Sequence, residues 1–259
     1  MSRRPPRAAH HPHKPRLTHF LSLPLAFDQR TRTILDNSLH DLRSDIRNHH
    51  PDIPITAIRP VQTLHLTIGV MSIPTSSDLA RAREVLNSIL CEHSPAHSLL
   101  ISLRGLHVFP KTNKSRANVV FTRPDASKIE TIAIQQFADA VKREFVNSGL
   151  LLNEKRGHRR SSQSCQQGPT APPEGDEEEI DPVVLHATIL NTVYAIPRAR
   201  SSQQLPQRPS FNAAALLKKY KNVEFLHATR IPRLEICKMG ELTEENGGGY
   251  ECVAFIDLP

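Results

Sequence analysis

No stretch of this 259-residue sequence approaches the ~18 consecutive apolar residues that a membrane-spanning helix needs. No apolar segment of leader type follows Met1 either, so neither a membrane protein nor a secreted one is expected. Cysteine is scarce. Cys91, Cys165, Cys237 and Cys252 form neither a CxxC pair nor a regular framework, which argues against disulfide stapling and for a reducing, intracellular setting, nucleus or cytoplasm. Hydrophobic residues make up only 38% of the chain, low for a compact globule of this length, so part of it is expected to lie outside any core.

The charge that is present is unevenly placed. A formal net charge of +7 favours anionic partners. Arg3, Arg4, Arg7, Lys14 and Arg16 open the sequence with no acid among them, mixed with Pro5, Pro6, Pro12 and Pro15. Residues 1–15 therefore read as a disordered basic arm, which can be a nuclear-import signal, an RNA-contacting tail or a plain solvated leader. A second polar region runs from about residue 154 to 181. There Lys155-Arg156-Gly157-His158-Arg159-Arg160 gives way to Ser, Gln and Pro, then to Glu174-Gly175-Asp176-Glu177-Glu178-Glu179, and no core can be built from it. Its acidic end is either a solvated linker or a partner for the basic arm. A Pro/Ser/Gln-rich loop spans about 197–210. The remainder, 16–259, reads as one domain carrying these two interruptions.

Elsewhere the apolar pattern switches period repeatedly. Leu17, His19, Leu21, Leu23 and Leu25 alternate with smaller or polar residues and predict a strand. Ile34, Leu35, Leu39, Leu42 and Ile46 recur at helical spacing over Asp28 to Arg47, with Asp28 as N-cap. A strand around Thr63 to Ser72 and a helix over Ser77 to Cys91, with Leu79, Ala82, Val85, Leu86, Ile89 and Leu90 inward, repeat the theme. Strands at Ser98 to Phe109 and Ala117 to Thr122 follow, then a helix from Asp125 to Asn147 and a strand at Val183 to Leu190. A short helix near Phe211 to Tyr220 and strands at Thr229 to Cys237 and Tyr250 to Leu258 end the chain. This mixture, with hairpin-like intervals near Phe109 and at Asn246-Gly247-Gly248-Gly249, predicts an α+β fold with at least one mainly antiparallel sheet.

Two of the strands carry the same chemistry. In Leu64-His65-Leu66-Thr67-Ile68-Gly69-Val70 strict alternation puts Leu64, Leu66, Ile68 and Val70 on one face and His65, Thr67 and Gly69 on the other, the glycine leaving room for a ligand. Leu185-His186-Ala187-Thr188-Ile189 repeats the arrangement, with His186 and Thr188 projecting together. Cleaving a phosphodiester needs one group to take a proton and another to give one, and histidine supplies both forms at neutral pH. Each threonine hydroxyl can hold a non-bridging phosphoryl oxygen. The motif strands offer no carboxylate or Cys cluster, so neither a metal nor another cofactor is expected. A bare His-x-Thr is weak evidence, since chance supplies on the order of one in a chain with 14 histidines. A third copy, His227-Ala228-Thr229, reads as a decoy, because it falls at an expected helix-to-strand junction without flanking apolar alternation.

At these residues the sequence resembles the two-histidine (2H) phosphoesterase superfamily, which includes bacterial RNA 2′-5′ ligase-like proteins and cyclic phosphodiesterases. Within it the resemblance is to the A-kinase anchoring protein 7-like phosphoesterase domain and to the phosphoesterase-like half of activating signal cointegrator 1 complex subunit 1. It rests on Thr18-His19-Phe20-Leu21-Ser22-Leu23-Pro24-Leu25, on the stretches Leu64 to Met71 and Leu185 to Thr192, on Gly105-Leu106 and on Pro232 to Met239. The resemblance implies a bilobal α+β fold, two pseudo-symmetric antiparallel-sheet halves around a central cleft. It also implies His65 and His186 as the acid/base pair and Thr67 and Thr188 as phosphate ligands. No KH-type region with a GxxG loop precedes the domain, so RNA contacts are expected from the cleft and the basic arm. No amphipathic helix follows Leu258, so docking of a kinase regulatory subunit is not expected.

Beside the motifs, Tyr194 can stack on a nucleobase at the cleft rim or simply pack. Lys111, Lys114 and Arg116 can steer a phosphate or form a solvated hairpin tip. The expected function is metal-independent cleavage of RNA or nucleotide phosphodiesters, a 2′,3′-cyclic phosphate or a 2′-5′ linkage. The alternative is a non-catalytic nucleotide- or RNA-binding module of a transcription-coactivator or repair complex. Because long surface insertions cost little loop entropy, deleting residues 157–179 is expected to leave the thermal unfolding midpoint nearly unchanged. A large fall in that midpoint would mean that the segment belongs to the folded core.

Overall fold

The computed structural model describes residues 15–151, 180–196, 209–240, 242 and 247–259. The basic arm apart from Pro15, Cys165 and nearly all of the expected 154–181 and 197–210 interruptions lie outside the described residues. In chain order the elements are β1 (His19–Pro24), α1 (Gln29–His49), β2 (His65–Met71), α2 (Ser76–Glu92), β3 (Leu100–His107), β4 (Val119–Pro124), α3 (Glu130–Asn147), β5 (Ala187–Asn191), α4 (Ala214–Lys219), β6 (Glu224–Arg230), β7 (Arg233–Lys238) and β8 (Cys252–Asp257). The strands form two four-stranded sheets, ordered β2-β1-β7-β8 and β5-β4-β3-β6, with every ladder antiparallel. The fold is α+β, and each motif strand is the outer strand of its own sheet. No helix of the described residues is long and apolar enough to cross a membrane.

The helices follow local signals with small departures. The Asp28 carboxylate caps α1 by accepting the Thr31 N–H at 2.7 Å. Leu35, Leu39, Leu42 and Ile46 form the buried stripe, whereas Ile34 is one position off it and 41% exposed. Leu90 is likewise turned out of α2, beside the buried row Ala82, Leu86 and Ile89. Helix α3 begins at Glu130, later than expected, because the Asp125 carboxylate accepts the backbone N–H and hydroxyl of Ser127 and holds a turn there. The strand expected over Thr229 to Cys237 is two strands, split at Ile231-Pro232, where proline has no N–H for a ladder. His227 therefore sits inside β6 and not at a helix-to-strand junction.

Both motif strands bulge at the same place. On β2, Leu21 pairs with Gly69 but Ser22 pairs with Thr67, leaving Ile68 as the extra residue. On β5, Val120 pairs with Leu190 but Phe121 pairs with Thr188, leaving Ile189 extra. In each case the isoleucine after the motif threonine is buried, and the bulge re-aims the side chains beyond it. Strict alternation therefore fails beyond Ile68: Val70 is exposed, and Gly69 backs onto the interior. Gly69 makes room for a side chain and not for a ligand, since a Cβ there would lie 2.8 Å from both methyl carbons of Leu151. Leu151 is itself buried and bridges to Met71.

This packing predicts that Gly69→Ala destabilises the fold by about 1–3 kcal/mol through overpacking. Leu151→Ala should cost about 2–5 kcal/mol on its own, and the double variant should cost less than the sum of the two. Denaturant unfolding measures all three, and strict additivity would show that the two residues do not share that space.

Candidate active site

The two sheets meet along their motif edges. The Arg59 backbone N–H donates to the Ile189 carbonyl at 2.9 Å, and Ile58 bridges to Leu190. Across this seam lies a cavity lined by His65, Thr67 and Val70 from β2 and by Thr188 and Asn191 from β5, with Phe20, Arg59, Tyr194 and Tyr250 around them. His65, Thr67, Thr188 and Tyr194 thus border one space. His186, one residue before β5, flanks it without lining it.

The two imidazoles are held alike. His65 Nδ1 lies 2.8 Å from the Thr63 carbonyl and His186 Nδ1 lies 2.7 Å from the Val184 carbonyl, each two residues back in the chain. A carbonyl only accepts, so each Nδ1 carries the hydrogen and donates it, and Nε2 is the nitrogen left for a ligand. Each ring is also wedged between two aromatic rings. His65 packs on Phe20 at 4.8 Å and meets Tyr250 edge-on at 5.5 Å, while His186 lies 5.1 Å from both Phe109 and Phe121. Phe20 and Phe121 come from the strands next to β2 and β5, so packing in each sheet fixes its own histidine.

Arg59 supplies the charge. Its residue is 5% exposed, its guanidinium lies 3.8 Å from the Tyr194 ring centroid, and it donates to the Tyr250 hydroxyl oxygen at 2.8 Å. Among the described residues no carboxylate lies within ion-pair distance of it. Burial drives His65 from its ordinary 6.5 down to about 4, the Thr63 carbonyl opposes it, and the positive Arg59 pushes the same way as burial. His65 is thus neutral at physiological pH in the free protein. Burial likewise pushes the Tyr250 hydroxyl up to about 12, so it keeps its proton while accepting from Arg59.

Sequence reasoning did not single out Arg59, Tyr250, Asn191, Phe109 or Phe121 as site residues. Asn191 follows Thr188 on β5 and its own stretch could have pointed to it, whereas Arg59, Tyr250, Phe109 and Phe121 reach the site through contacts distant in the chain. Tyr194 stands at the rim, half exposed, with Arg59 against its ring. Lys111, Lys114 and Arg116 are exposed in the β3–β4 connection and do not line the cavity. His227 lies on β6, the opposite edge of its sheet from β5, and pairs with Glu224 at 3.2 Å. Among the described residues two groups have metal-ligating atoms within 4.8 Å of one another, Glu92/His93/Glu144 and Glu235/Cys237/Cys252, and neither lines the cavity.

A family model described as the AKAP7 2'5' RNA ligase-like domain matches residues 17–258. Comparison with curated proteins gives no match. Among solved structures, LigT of E. coli complexed with NADP+ aligns over 95% of this chain and 99% of its own, at 13% identity and a TM-score of 0.47. The same protein complexed with 3'-AMP aligns over 93% and 98%, at 14% identity and a TM-score of 0.47. TT0787 of Thermus thermophilus aligns over 93% and 97%, at 15% identity and a TM-score of 0.45.

The depressed proton affinity of His65 has a consequence in solution. Between about pH 4 and 6.5 the unfolded chain binds a proton at His65 that the folded chain refuses, so this residue's contribution to stability is complete above 6.5 and lost as pH falls toward 4. Histidine NMR titration should find His65 still neutral at pH 5.5, and Arg59→Met should shift its midpoint upward. A His65 midpoint near 6.5 in the unaltered protein would contradict this account of its burial and charge.

Proposed function

Because the chain belongs to the AKAP7 2'5' RNA ligase-like domain family, within the 2H phosphoesterase superfamily, we propose that it is a metal-independent phosphoesterase. Its substrate is a phosphodiester in RNA or a small nucleotide, a 2′,3′-cyclic phosphate or a 2′-5′ linkage. The observation that carries this reading is the matched pair of Nδ1–H···O=C bonds, which orient two imidazoles by the same device, His65 at the start of β2 and His186 one residue before β5, with the threonine two residues after each at one cavity.

In this mechanism the His65 Nε2, neutral in the free protein, takes the proton of the attacking hydroxyl or water. His186 gives a proton to the leaving oxygen as the phosphorus–oxygen bond breaks. Thr67 and Thr188 donate to the non-bridging oxygens, and Arg59 stabilises the charge that builds on them. The donors around the cavity are imidazole, hydroxyl, amide and guanidinium, with no carboxylate or thiolate among the described lining residues, and in this reading Arg59 supplies the positive charge.

Turnover of a panel of cyclic and linear oligonucleotides, measured with EDTA present, tests the proposal. His65→Ala and His186→Ala should each lower kcat by at least ~10²-fold. The double variant should fall far less than the product of the two, because the pair acts as a unit. Thr67→Ala and Thr188→Ala should cost less, and His227→Ala should leave kinetics unchanged. Loss of activity in EDTA with recovery on a divalent ion, measured where the chelated protein is still fully folded, would overturn the mechanism. A His227→Ala loss matching that expected for His186, with His186→Ala near wild type, would mean that the acid/base pair is misassigned.

A further inference from the structure

We infer that Glu235, Cys237 and Cys252 form a binding site for a borderline-soft divalent metal ion of the Zn2+ class. This inference does not depend on the phosphoesterase reading. The β7–β8 ladder sets Cys237 directly opposite Cys252, and Glu235 precedes Cys237 by two residues on the same face of β7. The three ligand atoms all lie within 4.8 Å of one another, and Cys237 Sγ is 3.6 Å from Glu235 Oε2. A tetrahedral Zn2+ with Zn–S of about 2.3 Å and Zn–O of about 2.0–2.2 Å places a sulfur and an oxygen ligand about 3.5–3.7 Å apart. Cys237 and Glu235 already stand at that spacing, and the Cys252 sulfur lies within 4.8 Å of both.

The carboxylate is aimed as well as near. Arg233 Nη1 lies 3.7 Å from Glu235 Oε1, which leaves Oε2 turned toward the sulfur. Arg233 is itself fixed, its guanidinium carbon 4.2 Å from the Phe27 ring centroid and 4.3 Å from that of Phe255. Such an outer partner that orients a ligating carboxylate is a regular part of metal sites. All three donors line a pocket shared with Ser22, His65 and Tyr250, from which a water can enter as fourth ligand. Two thiolates exclude Mg2+ and Ca2+, which take oxygen ligands, and a carboxylate does not suit Cu(I). A cross-strand disulfide is the competing fate of two facing thiols, but it makes no use of the carboxylate directed at them.

Cys252 follows Tyr250 by two residues, so an ion that ties Cys252 to β7 also pins the start of β8, where the Tyr250 ring meets His65. Binding to the folded chain should therefore raise its melting temperature by mass action.

The full chain carrying Cys91→Ser and Cys165→Ser, kept reduced with a phosphine, is titrated with Co2+ and then with Zn2+. The expected result is one equivalent of Co2+ with thiolate-to-cobalt charge-transfer and tetrahedral visible bands, displaced by Zn2+, together with a rise in melting temperature. Cys252→Ser, at an exposed position, should abolish the charge-transfer signature of a two-thiolate site and the thermal shift, and Glu235→Gln should weaken binding at least ~10-fold. Absence of charge-transfer bands at one equivalent, or bands unaltered by Cys252→Ser, would overturn the inference. So would a pair that forms a disulfide in air and, once reduced, binds no Co2+.

Discussion

An open sheet leaves its outer strand with one row of backbone donors and acceptors unpaired, and here both strands that bring a motif threonine to the cavity, β2 and β5, are outer strands. The segment that leads into β2 is joined to the β5 edge through the Arg59 N–H on the Ile189 carbonyl and the bridge between Ile58 and Leu190. That junction sets the rest of the site. It brings Thr67 and Thr188 to one cavity although they are far apart in the sequence, and it places Arg59, whose backbone makes the joint, between the sheets. The aromatic rings that wedge each histidine come from its own half, so only the distance between the halves is left for the seam to fix.

Burying the Arg59 guanidinium without a carboxylate is costly unless other groups replace its water. The Tyr194 ring face and the Tyr250 oxygen do part of this, the former worth up to about 2 kcal/mol when desolvated. The remaining donors of the guanidinium give the cavity a fixed positive charge, which suits a phosphoryl group. The same charge works against protonation of His65, so anion affinity and histidine basicity are opposed by one residue.

The motif faces are legible in the sequence because period-two alternation holds locally around His65 and His186, and the buried Leu64, Leu66, Leu185 and Ala187 follow it. Alternation fails past Ile68 because a bulge is a property of two paired strands, and its partner residues Leu21 and Ser22 lie far upstream. Gly69 misleads for the same reason: the group it accommodates, Leu151, is set by tertiary packing. Ile34 and Leu90 read as inward because each adjoins a true stripe position, and composition alone does not say where a stripe ends. Arg59, Phe121 and Tyr250 are invisible because nothing in their own neighbourhoods marks them. The repeated bulge is in principle readable, since His-x-Thr-Ile occurs at both sites, but only the paired partners reveal its meaning.

The two halves use one device for positioning and different surroundings for charge. Both imidazoles donate Nδ1–H to a carbonyl, yet His65 faces Arg59 and the Tyr250 phenol while His186 lies against the hydrocarbon rings of Phe109 and Phe121. These surroundings act on His65, whose proton affinity burial and the Arg59 charge hold down. In the proposed reaction that affinity also depends on the ligand. A phosphoryl group against Arg59 offsets the charge that depresses His65, so binding strengthens His65 as a base when a proton has to be taken. By linkage, protonating His65 must then tighten the hold on the anion. Arg59, which adds to burial in keeping the free histidine neutral, thus makes its basicity respond to substrate.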